Sequence, residues 1–285
     1  MSNTLSSTAS KVWFITGSTR GLGAEIARAA LAAGHVVVAT GRKPEAVTQA
    51  LGTHERLLAL ALDVTAPGQP EAAVKAALAR FGRIDVLVNN AGNVIIGALE
   101  ELSTQELEGQ FATNVLGLAA VTRAVLPTLR AQRSGHIFNM SSAAGLTGYL
   151  GASAYSASKF AVEGLSEALA HEVAPFGIHV TLLEPGLFRT GFLTEASATF
   201  SPTVIADYDA TVGKARQEWR SLSGKQAGDP AKLAQAVLTL ADSAQPPLRF
   251  VAGADAVAAL EQAITQRGET LGRWRGLAQS LSHES

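Results

Sequence analysis

The 285-residue chain has no cysteine, which excludes disulfides, thiolate catalysis and cysteine-ligated zinc. Charge is sparse: Asp, Glu, Lys and Arg make up 16% of the residues and the net charge is −1, so no basic field exists to hold nucleic acid or an anionic membrane. Six histidines are scattered without HExxH-like spacing, which leaves a protein-ligated metal without support. No run of 18 apolar residues occurs, so no bilayer-spanning helix is expected. The polar start "MSNTLSSTASK" lacks an apolar leader core and reads as a flexible tail over residues 1–10. No internal repeat and no shift in composition marks a second domain, and a cytoplasmic protein is the expectation.

Hydrophobic residues, at 47%, are arranged in an alternation. Short aliphatic runs at 12–16, 35–40, 57–62, 84–89, 136–141, 178–184 and 248–253 read as strands, and Ala-rich segments of helical period at 24–33, 69–81, 104–131, 153–174 and 230–242 read as helices. That order predicts an α/β fold, a doubly wound seven-stranded parallel sheet with helices on both faces. Two segments fall outside the alternation. Residues 187–229 carry Phe188, Phe192, Leu193, Phe200, Tyr208 and Trp219 among polar residues, and a loop of that length inside a domain reads as a substrate lid. In the tail 254–285, Val257, Leu260, Ile264, Leu271 and Trp274 follow a helical period, as expected for a helical extension on the domain surface or across a subunit interface.

The first strand runs into "TGSTRGLGAEIARAALAAG". Gly17, Gly21 and Gly23, with Ser18, Thr19, Arg20 and Leu22 between them, stand where a strand turns into a helix. There the backbone can approach a pyrophosphate and the helix N-terminus can face its charge. The spacing is GxxxGxG, and glycines at such a turn also serve purely structural ends. Other strand ends agree with the ligand reading: Asp63 and Val64 follow the third, Asn90, Ala91 and Gly92 the fourth, Ser142 the fifth, and Pro185, Gly186 and Thr190 the sixth. Carboxyl ends of parallel strands are where open α/β sheets bind ligands, so these segments converge on one crevice.

In "AYSASKF", Tyr155 and Lys159 lie one turn apart on a common helix face. Alone, such a pair reads more readily as a solvated surface. Together with TGxxxGxG from Thr16 to Gly23, NNAG from Asn89 to Gly92, Asn114, Ser142 and Pro185-Gly186 with Thr190, it resembles the short-chain dehydrogenase/reductase family over residues 11–253. The resemblance implies a Rossmann-type fold and reversible hydride transfer between a nicotinamide and a carbonyl or alcohol. It casts Lys159 as a ligand of the nicotinamide ribose and Asn114 as the holder of a water that links Lys159 to solvent. A mid-helix Asn bonded to backbone is the alternative for Asn114.

The chemistry can also be argued from the residues. Reduction leaves charge on oxygen, so a site must donate a proton and hold that oxygen. Tyr155 is assigned the donor role and Ser142 the orienting one, with the capping of the following turn assigned to Ser141. A phenol titrates near ~10, and work near neutral pH asks for a shift of about three units, roughly 4 kcal/mol. One ammonium at about 5 Å supplies roughly 3 kcal/mol at an effective dielectric of about 20, so Lys159 is expected to lower the phenol.

After the second strand "ATGRKPE" places no carboxylate at Thr40 or Gly41, and Arg42 follows at once, with Arg20 able to approach from the glycine turn. A 2′-phosphate suits these arginines, so NADP(H) is expected over NAD(H). The expected substrate is a small to medium apolar carbonyl or alcohol. The alternatives are a 3-oxoacyl-carrier-protein reductase or an NADP-binding sensor without turnover. A homo-oligomer, dimer or tetramer, is expected.

Overall fold

The computed structural model describes residues 10–193 and 198–283, so residues 1–9 of the expected tail and 194–197 of the expected lid lie outside the described residues. Among the described residues nine strands are formed: β1 Val12–Ile15, β2 Val36–Gly41, β3 Leu57–Ala61, β4 Val86–Asn89, β5 Val94–Ile96, β6 Gly135–Met140, β7 Ile178–Pro185, β8 Ala198–Phe200 and β9 Arg249–Ala252. Seven of them make one all-parallel sheet in the order β3-β2-β1-β4-β6-β7-β9. The chain winds outward from β1 in both directions, so the order reverses between β1 and β4 and opens a crevice at their carboxyl ends.

The longer helices are α1 Gly21–Ala32, α2 Pro44–Leu51, α3 Gln69–Phe81, α4 Thr104–Phe111, α5 Leu118–Gln132, α6 Ser153–Val173, α7 Lys214–Ser221, α8 Pro230–Ala241 and α9 Ala254–Gln279. They cover both faces, because successive strand side chains point opposite ways. Trp13 and Ile15 of β1 pack with Ile26 of α1 and Val237 of α8, whereas Val12 and Phe14 pack with Val74 of α3, Val125 and Leu129 of α5 and Val173 of α6. This double burial is why the strands read as unbroken apolar runs.

Between α4 and α5 the helix widens into a π-turn over Ala112–Gly117, which carries Asn114. The combined run Thr104–Gln132 is long and apolar enough to cross a membrane by length and composition alone. Val121, Val125 and Leu129 of that run are instead spent on the sheet.

The segment 187–229, in its described parts, carries secondary structure where a loop was expected. It contributes β8, which pairs in parallel with β5 as a second, two-stranded sheet, and α7. A buried ion pair fastens it: Arg216 of α7 donates from Nη2 to Glu101 Oε2 at 2.6 Å. The same carboxylate accepts the Ala98 amide at 2.7 Å and the Ile205 amide at 3.0 Å. Burial pushes the Glu101 carboxyl up, but these two amides and the guanidinium together hold it below the usual carboxylate range.

Candidate active site

One cleft of about 720 Å³ opens at the carboxyl ends of the main sheet. At one end lies the glycine turn. Gly17 and Gly21 have φ of +69° and +59°, a region that favours glycine. A Cβ on Gly17 would lie 2.9 Å from Ala91 Cα, so the turn and the Asn90–Gly92 segment approach too closely for a side chain. Asn90 locks them together by donating from Nδ2 to the carbonyls of Thr16 and Gly17, each at 3.0 Å. Behind this contact α1 begins with no side-chain cap and no acidic residue in its first turn. Its amides are left to face an anion in the cleft, so a dinucleotide pyrophosphate fits this cradle.

Of the residues named for cofactor binding, Gly17, Thr19, Arg20, Gly21, Leu22, Arg42, Asp63, Val64, Asn90, Ala91, Gly92, Pro185, Gly186 and Thr190 line the cleft. Ser18 and Gly23 sit behind it. Ser18 donates its hydroxyl to Ile15 O at 3.0 Å, and a Cβ on Gly23 would lie 2.4 Å from Asn90 Nδ2. Both shape the turn from within.

At the other end Ser142, Tyr155 and Lys159 come together. α6 carries Tyr155 and Lys159 on one face, and Lys159 Nζ lies 5.6 Å from the centre of the Tyr155 ring. That ammonium donates to Met140 O at 2.6 Å, so it is anchored to the end of β6. Burial pushes the Tyr155 phenol up to about 12, with a hydrogen bond to Ser142 acting the other way. Burial likewise pulls Lys159 down to about 8, opposed by Glu163. The expectation that the lysine lowers the phenol is therefore corrected: burial sets the direction upward, Lys159 is not among the groups that move it, and the ammonium is given to the Met140 carbonyl.

The capping assignment is also corrected. Ser142 caps the turn after β6, accepting from Ala144 N at 3.1 Å, while the Ser141 hydroxyl is buried with no hydrogen-bond partner among the described residues. Asn114 does not line the cleft. Its Nδ2 donates to Asn93 O at 3.0 Å and to Ser158 Oγ at 3.1 Å, and its Oδ1 accepts from Asn93 N at 3.0 Å. The side chain is thus committed to the chain after β4 and to α6.

Beyond Tyr155 the wall is aromatic. Phe192 lies 6.0 Å from the Tyr155 ring, Tyr149 meets Trp219 edge-on at 6.2 Å, and all of these line the cleft. Phe200, named with Phe192 for the lid, packs behind this wall under the Arg220 guanidinium.

Among the lining residues that the sequence reading did not name, two shape the site. Tyr149 stands between glycines in "TGYLG", a loop signature whose aromatic could have been flagged. Asp255, at the start of α9, accepts from Leu187 N at 2.7 Å and fills the space that a Cβ on Gly186 would need. It fastens the loop after β7 to the tail helix, and no local pattern announces it.

Against known proteins, the short chain dehydrogenase family profile matches residues 11–200. The oxidoreductase BOA17 of Botryotinia fuckeliana is 45% identical over 270 residues, which is 94% of this chain and 98% of that one. A crystal structure of a short-chain dehydrogenase from Streptomyces avermitilis superposes with a TM-score of 0.90 at 42% identity, covering 96% of this chain and 100% of that one. A short chain dehydrogenase/reductase from Burkholderia phymatum in complex with NAD gives 0.76 at 26% identity, covering 88% and 92%.

Proposed function

The chain belongs to the short-chain dehydrogenase family and is an oxidoreductase, and from that premise we propose that it reduces the carbonyl of an apolar substrate at the expense of NADPH. The observation that carries the proposal is the shared cleft: a phenol hydrogen-bonded to a serine at one end and a glycine turn flanked by arginines at the other.

When bound, the nicotinamide dinucleotide supplies the hydride. The chain supplies the rest. Tyr155, held protonated by its buried setting, donates to the oxygen on which charge develops, and Ser142 orients that oxygen. Lys159 places a cation beside both, where it can hold ribose hydroxyls. The raised phenol keeps Tyr155 protonated at neutral pH, the form that a donor in reduction requires. Consumption of reduced cofactor with a panel of aldehydes and ketones tests the reading, and no turnover with any of them would overturn it.

The substrate side rests on the aromatic wall. Phe192→Ala and Trp219→Ala are expected to raise KM for bulky apolar carbonyls by roughly tenfold through lost apolar contact, and to leave cofactor affinity in place. Equal losses for small and bulky substrates would remove the wall from the specificity account.

The preference for NADPH rests on Arg42. It is the first residue beyond β2, lines the cleft, and stands near enough to Asp63 to help lower that carboxyl after its hydrogen bonds to Thr65. Arg42→Ala is expected to cost roughly ten- to a hundredfold in kcat/KM with NADPH and little with NADH, since a hydrogen bond to a charged group is worth about 1.5–3 kcal/mol. Equal efficiency of the parent with both cofactors would refute the preference. A carboxylate at Gly41 is a poor way to reverse it, because a Cβ there would lie 2.5 Å from Thr19 Cγ2.

A further inference from the structure

One turn beyond Lys159 along α6, the interior holds more acid than base. Glu163 follows Lys159 by one turn of α6, and Glu184 stands on β7 just before the Pro185-Gly186 turn. Glu184 is wholly buried and Glu163 is 7% exposed. One guanidinium serves both: Arg249 Nε of β9 is 3.1 Å from Glu163 Oε2 and 3.6 Å from Glu184 Oε1. Its Nη2 is already given to Glu167 at 2.7 Å. Glu163 Oε1 and both oxygens of Glu184 are buried without a hydrogen-bond partner among the described residues, and so is Ser141 Oγ. Ser141 Oγ and Glu163 Oε1 converge at Gly145, where an added Cβ would lie 2.6 Å from the first and 3.2 Å from the second.

Two ionised carboxylates with three unpaired oxygens would be costly in this interior. One proton between them changes the account: a carboxyl on one side donates to an oxygen on the other, and a single negative charge faces Arg249. Of the charged groups around the pair, Lys159 acts on Glu163 from the preceding turn of α6, and Arg249 of β9 faces both carboxylates while also holding Glu167. The turn after β6 adds the neutral Ser141 hydroxyl.

We infer that Glu163 and Glu184 hold one proton in common and act as positioning residues for Lys159, releasing that proton as the pH rises so that the new negative charge keeps the lysine cationic. The consequence for function rests on the proposed role of Lys159 beside the phenol and the cofactor. The direction of titration agrees. Burial and then Glu163 push Glu184 up to about 8, with Arg249 opposing, and Lys159 is drawn down to about 8. The two equilibria meet in the same range. A second negative charge gained there opposes loss of the lysine proton, which widens the alkaline range over which the ammonium persists.

The test needs no turnover. In wild-type protein with carbon-13-labelled glutamate carboxyls, nuclear magnetic resonance at neutral pH is expected to show one protonated glutamate, lost in Glu184→Gln. Glutamates that are all ionised at neutral pH would overturn the shared proton. With nitrogen-15-labelled lysine, the Lys159 ammonium is expected to titrate about one pH unit lower in Glu184→Gln than in wild type, as for removal of one charge at a partly screened distance. An unmoved lysine would leave the pair a purely structural feature. Should Glu184→Gln fail to fold, Glu163→Gln removes the nearer charge and is expected to lower the Lys159 titration at least as far. Binding of reduced cofactor followed by fluorescence against pH then gives the functional arm: its alkaline limb moves with the lysine. Absence of cofactor binding at every pH would strike the proposed function, while the two resonance results would still decide the pair.

Discussion

Tyr155→Phe is expected to keep the fold and the affinity for cofactor and to lose at least about a hundredfold in turnover, as removal of a positioned proton donor does. The local structure survives the loss of the hydroxyl, because Ser142 remains tied to Ala144 N and lies 3.5 Å from Pro185 O. What disappears is the one protonated acid placed beside the serine. The pH dependence carries a sign. With the phenol raised to about 12 by burial, it stays protonated through the neutral range. The wild-type reductive rate should show no phenol titration there, whereas alcohol oxidation, which needs the phenolate, should climb with pH. Steady-state rates in both directions decide the matter: a Phe variant that keeps more than about a tenth of the parent rate puts less than ~1.4 kcal/mol of barrier at stake and ends the assignment.

The strands and the cleft motifs were legible for one physical reason. Buried on both faces, β1, β2, β4 and β7 present runs of apolar residues that need no partner to be recognised, and the turns at their ends must meet local demands of backbone that glycine and asparagine satisfy. The length of α6 likewise follows from period alone, and with it the common face of Tyr155 and Lys159. What stayed hidden depends on contacts remote in sequence. α2 is only eight residues long, too short for a period to declare itself, although Pro44 opens it. β5 and β8 are three residues each and find one another across the whole of β6, α6 and β7. The charged residues that matter behind the site follow the same rule. Nothing local singles out Glu163 within its helix or Glu184 at the end of its strand, and it is β9 that brings Arg249 between them. Even the chemistry of Tyr155 was only half readable: spacing gave its neighbour, but burial, which no spacing reports, set the direction of its pKa.

The lid offers the largest expected effect on stability. Arg216 and Glu101 are separated by 115 residues in sequence, and their side chains are 9% and 1% exposed. Removing one partner leaves the other charge buried without compensation, so Arg216→Ala is expected to cost about 3–5 kcal/mol, which for a chain of this size lowers Tm by roughly 10 °C. Replacing both, as Glu101→Gln with Arg216→Met, should cost less than Arg216→Ala alone, because no unpaired charge remains, although the glutamine oxygen can keep only one of the two amides, Ala98 or Ile205, that the two carboxylate oxygens accept. Linkage adds a pH signature. The Glu101 carboxyl is held below its usual value of 4.5, so its contribution is fully present above that value and is lost as the pH falls through the lower, folded one. Acid should therefore narrow the gap between wild type and Arg216→Gln, in which the guanidinium is gone but the volume is kept. Because α7 carries both Arg216 and Trp219, the damage has a functional address as well. Variants that still fold should lose affinity for bulky apolar carbonyls before they lose affinity for the cofactor, because the glycine turn is locked to the Asn90–Gly92 segment from within, and of the lid residues named for the cofactor only Thr190 reaches it. Calorimetry across pH, paired with separate KM values for cofactor and carbonyl, reads both consequences; a fall in Tm of less than about 2 °C for Arg216→Ala would show that water or rearrangement compensates the carboxylate and that the pair does not hold the lid.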